Sequence, residues 1–233
     1  MTTQLRPARA MILAAGRGER MRPLTDAVPK SMLKVGGKPL IQYHIEALAR
    51  AGFKEVVVNL AHLGEQITQH LGNGARFGMN IFYSPESGRP LETGGGIFNA
   101  LHFLGDEPFL VVNADVWTDL DYSTLTIEQD KLAHLVLVAN PPQHTQGDFG
   151  LHAGLVTDGD GERFTFSGIG IYQAKLFTGC EPGPFPLAPL LYKGAESGLV
   201  GGQFYDGRWV DVGTPQRLKA LDAALNGGLL ERL

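Results

Sequence analysis

One cysteine, Cys180, is all that this 233-residue chain carries. A single thiol forms no intramolecular disulfide and no thiolate cluster, which excludes a disulfide scaffold and a cysteine-built metal centre. Long apolar runs are missing too: none approaches the roughly 20 residues of a membrane-spanning helix. Met1 to Arg9 is polar and the apolar run behind it is too short for a secretory leader, so no membrane association and a cytoplasmic setting are expected. An excess of basic charge is also lacking. Lys and Arg number 20 against 24 Asp and Glu, a formal charge of −4, which argues against a nucleic-acid partner. There is no internal repeat, and the 31 glycines are spread through turns rather than gathered in low-complexity tracts. What remains, 43% hydrophobic and 19% charged residues, is ordinary for a globular protein. The length suits one α/β domain spanning 1–233, with 1–7 expected to be loose.

Against that background the stretch from Ala10 to Thr25, running on to Pro29-Lys30, stands out. A short buried strand, Ala10 to Leu13, opens into the small residues Ala14, Ala15, Gly16 and Gly18, which let backbone approach a ligand closely. Arg17, Arg20 and Arg22 follow, then Pro23 and finally Lys30. Exposed amides and four cations after a first strand describe a polyphosphate site. Two known phosphate loops are absent: there is no Gly-Lys-Ser/Thr for a P-loop, and Met21 stands where a dinucleotide fingerprint needs its third glycine.

Further along, Pro39 opens an amphipathic helix through Ala51 that includes His44, read as a partly buried helix residue. Lys54 to Leu60 reads as a strand covered on both faces, Gly64 to Leu71 as a short helix, and Met79 to Tyr83 as another strand. Strand and helix alternating at these lengths predict a Rossmann-like, mixed and mainly parallel sheet with helices on both faces. Leu91-Glu92-Thr93-Gly94-Gly95-Gly96 then leads into a helix over Ile97 to Leu104, its glycines able to receive a flat group. Pro108 to Asp115 is a buried strand that delivers Asp115 past its C-terminal end, where open α/β sheets hold ligands. Asp119 and Asp121 read as solvated or capping residues. Leu132 to Ala139 is a core strand, and the polar loop Asn140 to Asp148 is placed for substrate contacts. Phe149 to Thr157 and Arg163 to Tyr172 read as a hairpin, Phe185 to Tyr192 as a helix, and Gln203 to Asp211 as a second hairpin around Asp206-Gly207. A last helix covers Gln216 to Leu225.

The stretch Gly16-x-Gly18-Glu19-Arg20-Met21-x-Pro23-Leu24-Thr25 with Pro29-Lys30 resembles the signature of the sugar-1-phosphate nucleotidylyltransferases. Asn113-Ala114-Asp115 and Trp209-Val210-Asp211-Val212-Gly213-Thr214 resemble two further motifs of that family. The sequence departs from the family pattern at Ser31, at Ala114 and in lacking Glu-Lys-Pro before Gly168-Ile169-Gly170-Ile171-Tyr172. The resemblance implies a nucleotide-diphospho-sugar transferase fold and transfer of a nucleotidyl group from a nucleoside triphosphate to a sugar 1-phosphate. It implies Arg20, Lys30, Asp115 and Asp211 as catalytic residues, with Mg²⁺ held by Asp115 and Asp211. Ala14, Ala15, Gly16, Gly18, Glu19, Arg20, Lys30, Glu92, Thr93, Gly94 and Asn113 are the implied nucleotide contacts, and Asp148 and Gly168 those of the sugar phosphate. Within the family, Pro90 to Phe98, Asp115 to Asp119 and Gly147-Asp148-Phe149 most resemble the bacterial N-acetylmuramate-1-phosphate uridylyltransferases, which favours UTP as donor. Mannose-1-phosphate with GTP, glucose-1-phosphate with dTTP or UTP, and a non-catalytic nucleotide sensor stand as alternatives, in a monomer or small homo-oligomer.

Overall fold

The structure, a computed structural model, describes residues 2–86, 90–159 and 161–227. The chain gathers into two compact units. The first takes in 1–11, 91–112 and 124–206; the second takes in 12–90, 113–123 and 207–233.

The second unit carries the signature. In the helix Leu40–Arg50, Leu40, Ile41, His44, Ile45 and Leu48 are buried, a stripe one helix face wide. The strand Glu55–Leu60 pairs in parallel with Asn80–Pro85, Val56 opposite Ile81, and the helix Gly64–Leu71 lies between them in the chain, as a parallel pair requires. Val56, Val57 and Val58 are fully buried. The strand Trp209–Asp211 was expected to close a hairpin with residues from Gln203 onward. Instead it pairs antiparallel with Val116–Thr118, Asp211 opposite Val116. That pairing joins the two acidic motifs. Behind it the last helix, Pro215–Asn226, is capped by the Thr214 hydroxyl. It packs through Leu221 on a cluster of Val35, Leu40, Trp117 and Val212.

The first unit is mixed, with antiparallel pairing more prominent than the alternation of elements suggests. The strand Ala133–Val138 runs parallel to Val200–Phe204 and antiparallel to Arg163–Tyr172, which is antiparallel in turn to Phe109–Asn113. Phe149–His152 turns through Ala153-Gly154 onto Leu155–Thr157 and pairs on its other edge with Arg163–Tyr172, so the predicted long hairpin is three strands with Phe149–His152 in the middle. Gln4–Leu5, expected to be loose, pairs with Ile127–Glu128.

Two helices of this unit begin away from their predicted starts, and one contact explains both. The helix Glu92–Leu104 includes Gly94, Gly95 and Gly96 rather than following them. Phe185 donates its N–H to the Leu91 carbonyl at 3.2 Å and accepts from the Gly95 N–H at 3.0 Å. Those bonds hold Phe185 outside regular structure, and the next helix starts only at Ala188, running to Glu196. A Cβ on Gly94 would stand 2.5 Å from the Phe185 ring, and one on Gly95 would overlap the Gly183 carbonyl. The glycines are there so that two chain segments can meet.

Candidate active site

The signature loop leaves its strand at Ala14, whose N–H donates to Asn59 Oδ1 at 2.7 Å. Asn59 is buried, and its Nδ2 donates to Glu86 Oε1 at 2.7 Å, which fixes which way the amide faces. Gly18 is left-handed, φ 69°, a conformation that glycine adopts without steric cost. Its carbonyl accepts from the Thr25 hydroxyl at 2.8 Å and from the Met21 N–H at 2.9 Å. Met21 is fully buried, so the residue that breaks the dinucleotide fingerprint is the plug that closes this tighter turn.

The loop opens onto a crevice of about 240 Å³ lined by Gly16, Gly18, Glu19, Arg20, Met21, Lys30, Asp115 and Gly213. A Cβ on Gly16 would meet nothing within 4 Å, so the backbone here borders open space. Of the four cations in the stretch, Arg20 and Lys30 line the crevice. Arg22 pairs instead with Asp26 at 3.2 Å. Arg17 pairs with Glu19 at 3.5 Å and meets His62 Nδ1 at 3.4 Å. His62 in turn reaches the Thr25 carbonyl at 3.2 Å; a carbonyl only accepts, so Nε2 carries the proton. The outer arginines hold the loop together and leave the crevice to the other two.

Lys30 follows Pro29 in a single 3-10 turn, Lys30–Met32, and its ammonium pairs with Asp115 Oδ2. The Lys30 side chain is 11% exposed, so the carboxylate is what makes its burial tolerable. Asp115 comes directly after the strand Phe109–Asn113, as expected. The neighbouring Ala114 N–H donates to the Leu13 carbonyl at 3.1 Å, and the Asp115 carbonyl accepts from the Val212 N–H at 2.8 Å. Asp211 is thus one register step away, and its Oδ2 accepts from Arg217 Nη1 at 2.8 Å. Asp119 and Asp121 do cap backbone, accepting from the N–H groups of Arg208 and Ser123. His44 is more buried than expected. Its Nε2–H donates to the Val116 carbonyl and its Nδ1 accepts from the Tyr122 hydroxyl, which fastens the strand behind Asp115 to the helix Leu40–Arg50. Burial pushes its pKa down to about 4, so the ring is neutral.

Both candidate metal carboxylates therefore rest on a cation of the protein itself. Among the described residues no three of His, Cys, Asp and Glu gather into a ready metal cage. Mg²⁺ does not demand one, since it takes one or two carboxylates and completes its shell with water and phosphate oxygens. One carboxylate in the turn before Val116–Thr118 and one at the end of the strand paired with it, each with a second oxygen to offer, fit that habit.

The other candidates lie in the first unit. Glu92 has φ 59°, a sparsely populated conformation for a non-glycine residue, and begins the helix that contains Thr93 and Gly94. Asp148 accepts from the Phe166 N–H at 2.7 Å and from His144 at 3.0 Å. Arg163 donates to its carbonyl. Gly168 has φ 78° where pairing with Ala133–Val138 shifts register, the position of a bulge glycine. Asn59, His62, Glu86 and Arg217 were not singled out from the sequence. Only Asn59 left a signal there, a polar residue at the end of an otherwise apolar strand.

A family profile described as nucleotidyl transferase matches residues 9–164. The N-acetylmuramate alpha-1-phosphate uridylyltransferase of Neisseria meningitidis serogroup B is 50% identical, over 92% of this chain and 97% of that protein. The enzyme of the same name from Caulobacter vibrioides is 34% identical, over 94% and 97%. Among solved structures, a putative glucose-1-phosphate thymidylyltransferase from Bacillus anthracis superposes with a TM-score of 0.82 at 20% identity, covering 94% of this chain and 95% of that one. The signature loop, the two acidic motifs and this breadth of likeness agree: the chain belongs to the nucleotidyl transferase family.

Proposed function

We propose that this enzyme transfers the uridylyl group of UTP to N-acetylmuramate α-1-phosphate, releasing pyrophosphate. The substrate pair is carried by one observation, the 50% identity over nearly the full length of both chains to a relative of that name. The chemistry agrees with the crevice. A sugar phosphate has its second pKa near 6 and is largely ionised at neutral pH, so it attacks the α-phosphorus without a general base. Two anions must instead be brought together and their charge compensated.

Arg20 and the loop amides at Gly16 and Gly18 are assigned to the β- and γ-phosphates, and Lys30 to the α-phosphate and the incoming sugar phosphate. Asp115 and Asp211 are the residues that would hold Mg²⁺. That ion neutralises phosphate charge and aligns the two reactants. Lys30 bonded to Asp115 is then a cation in waiting, free to turn to phosphate once the carboxylate has another partner. Glu92, Thr93 and Gly94 as base contacts, Asn113 beside Asp115, and Asp148 and Gly168 as sugar contacts are supported by family resemblance.

A panel of UTP, GTP and dTTP against the 1-phosphates of N-acetylmuramate, mannose and glucose, read by pyrophosphate release, tests this. UTP with N-acetylmuramate α-1-phosphate is expected to turn over fastest. Faster turnover of mannose-1-phosphate with GTP, or of glucose-1-phosphate with dTTP or UTP, overturns the substrate assignment.

A further inference from the structure

Asp211 sits at the end of its strand with its two oxygens in different circumstances. Oδ2 accepts from Arg217 Nη1 at 2.8 Å, while no partner for Oδ1 is found among the described residues. Asp115 shows the same division, Oδ2 on Lys30 and Oδ1 without such a partner. Arg217 differs from Lys30 in one respect: like Asp211 itself, it does not line the crevice. It stands in the first turn of the helix Pro215–Asn226, its own N–H held by the Thr214 hydroxyl at 3.3 Å. Its side chain is 20% exposed, so the guanidinium is packed rather than free to wander.

Gly213 explains how it fits. This glycine lines the crevice beside Asp115 and Lys30. A Cβ there would overlap Arg217 Nη2 and stand 3.0 Å from Asp211 Oδ1. The guanidinium lies against the back of Gly213, and the free carboxylate oxygen lies beside the same glycine. One cation behind a carboxylate, one oxygen tied and one presented, is how outer partners orient a metal-ligating side chain. We infer that Arg217 is a positioning residue. By tying Oδ2 it aims Oδ1 of Asp211 at the divalent cation, and Gly213 is the slot that lets it do so. This rests on the proposed role of Asp211 as a metal ligand.

The test is Mn²⁺ binding to the full chain without substrates, titrated by electron paramagnetic resonance, with thermal midpoints recorded for each variant. Asp211→Asn tests the underlying reading, and Arg217→Met and Arg217→Lys test the inference. Gly213→Ala expels the guanidinium while both partners remain, and so serves if Arg217→Met does not fold. The inference expects Asp211→Asn to abolish binding and Arg217→Met and Gly213→Ala to weaken it about 10–100-fold. Arg217→Lys, still able to give one charged hydrogen bond, should fall in between. Unchanged or tighter Mn²⁺ binding in Arg217→Met and Gly213→Ala, with Asp211→Asn still inactive in binding, overturns the positioning role alone. Wild-type affinity in Asp211→Asn overturns the metal reading and this inference with it.

Discussion

Lys30 is the one side chain for which two states are proposed. Its ammonium is buried enough that removing Asp115 leaves a costly unpaired charge, yet the hydrogen bond that satisfies it is one a competing cation at Asp115 would take over. Lys30→Ala is therefore expected to lower kcat at least as much as it raises KM for the triphosphate, because its target gains charge during transfer. A change confined to KM would make Lys30 a ground-state clamp. Arg20→Ala, removing a single donor to developing charge, should cost about 3–4 kcal/mol in kcat/KM. His44 carries a different kind of prediction. Its pKa falls from an ordinary 6.5 to about 4 through burial, with the Val116 carbonyl and Asp115 pulling weakly the other way; the Tyr122 hydroxyl faces its Nδ1. The unfolded chain thus binds a proton that the folded chain refuses between about pH 4 and 6.5. Stability from this group is complete above pH 6.5 and is lost as pH falls, on the order of 3 kcal/mol in all. Urea unfolding at pH 7 and pH 5 should show the loss in the parent and little of it in His44→Gln; equal losses in both would place the acid sensitivity elsewhere.

At the scale of elements, the glycine run of Gly94 to Gly96 shows where sequence reading stops. Consecutive glycines say that something must come close, not what. In the structure the neighbour is the segment through Gly183 and Phe185, more than 80 residues along the chain, and no local pattern announces it. Gly94→Ala puts a methyl group into the Phe185 ring and is expected to cost about 1–3 kcal/mol by overpacking. Differential scanning calorimetry beside a UTP titration distinguishes the two uses of this glycine. A fall in melting temperature with UTP affinity retained supports packing, and lost affinity at unchanged stability supports a base contact. The strand Trp209–Asp211 makes the same point. Asp206-Gly207 reads as a hairpin turn by composition, but Val200–Phe204 satisfies its backbone against Ala133–Val138. The next strand is left to pair with Val116–Thr118. Strands and helices with strong local periodicity, such as Leu40–Arg50 and Glu55–Leu60, were legible; partner choice between distant strands was not.

Over the whole molecule, the residues that carry charge in the crevice were legible because each lies in a motif of unusual residue types. The residues behind them, such as His62 and Arg217, were not, because an imidazole in an ordinary loop or a guanidinium in an ordinary helix looks like any other. The chain passes between its two units after Met11, Pro90, Val112, Ser123 and Asp206, so neither is a continuous piece that could be cut out and assayed, and ligand effects must be measured on the complete protein. A ligand that binds only the folded state adds RT ln(1 + [L]/Kd), about 2.7 kcal/mol at a hundredfold excess over Kd. UTP with Mg²⁺ is therefore expected to raise the melting temperature by several degrees, more than GTP or dTTP with Mg²⁺ at equal concentration. EDTA should remove most of that rise and abolish pyrophosphate release, with both restored by excess Mg²⁺. Asp115→Asn should melt below the parent without ligand, since Lys30 loses its counter-charge, and show a UTP shift that no longer responds to Mg²⁺. A full, Mg²⁺-dependent shift in both Asp115→Asn and Asp211→Asn would mean that the cation reaches the protein on the triphosphate alone, and the two carboxylates would then serve as counter-charges to Lys30 and Arg217.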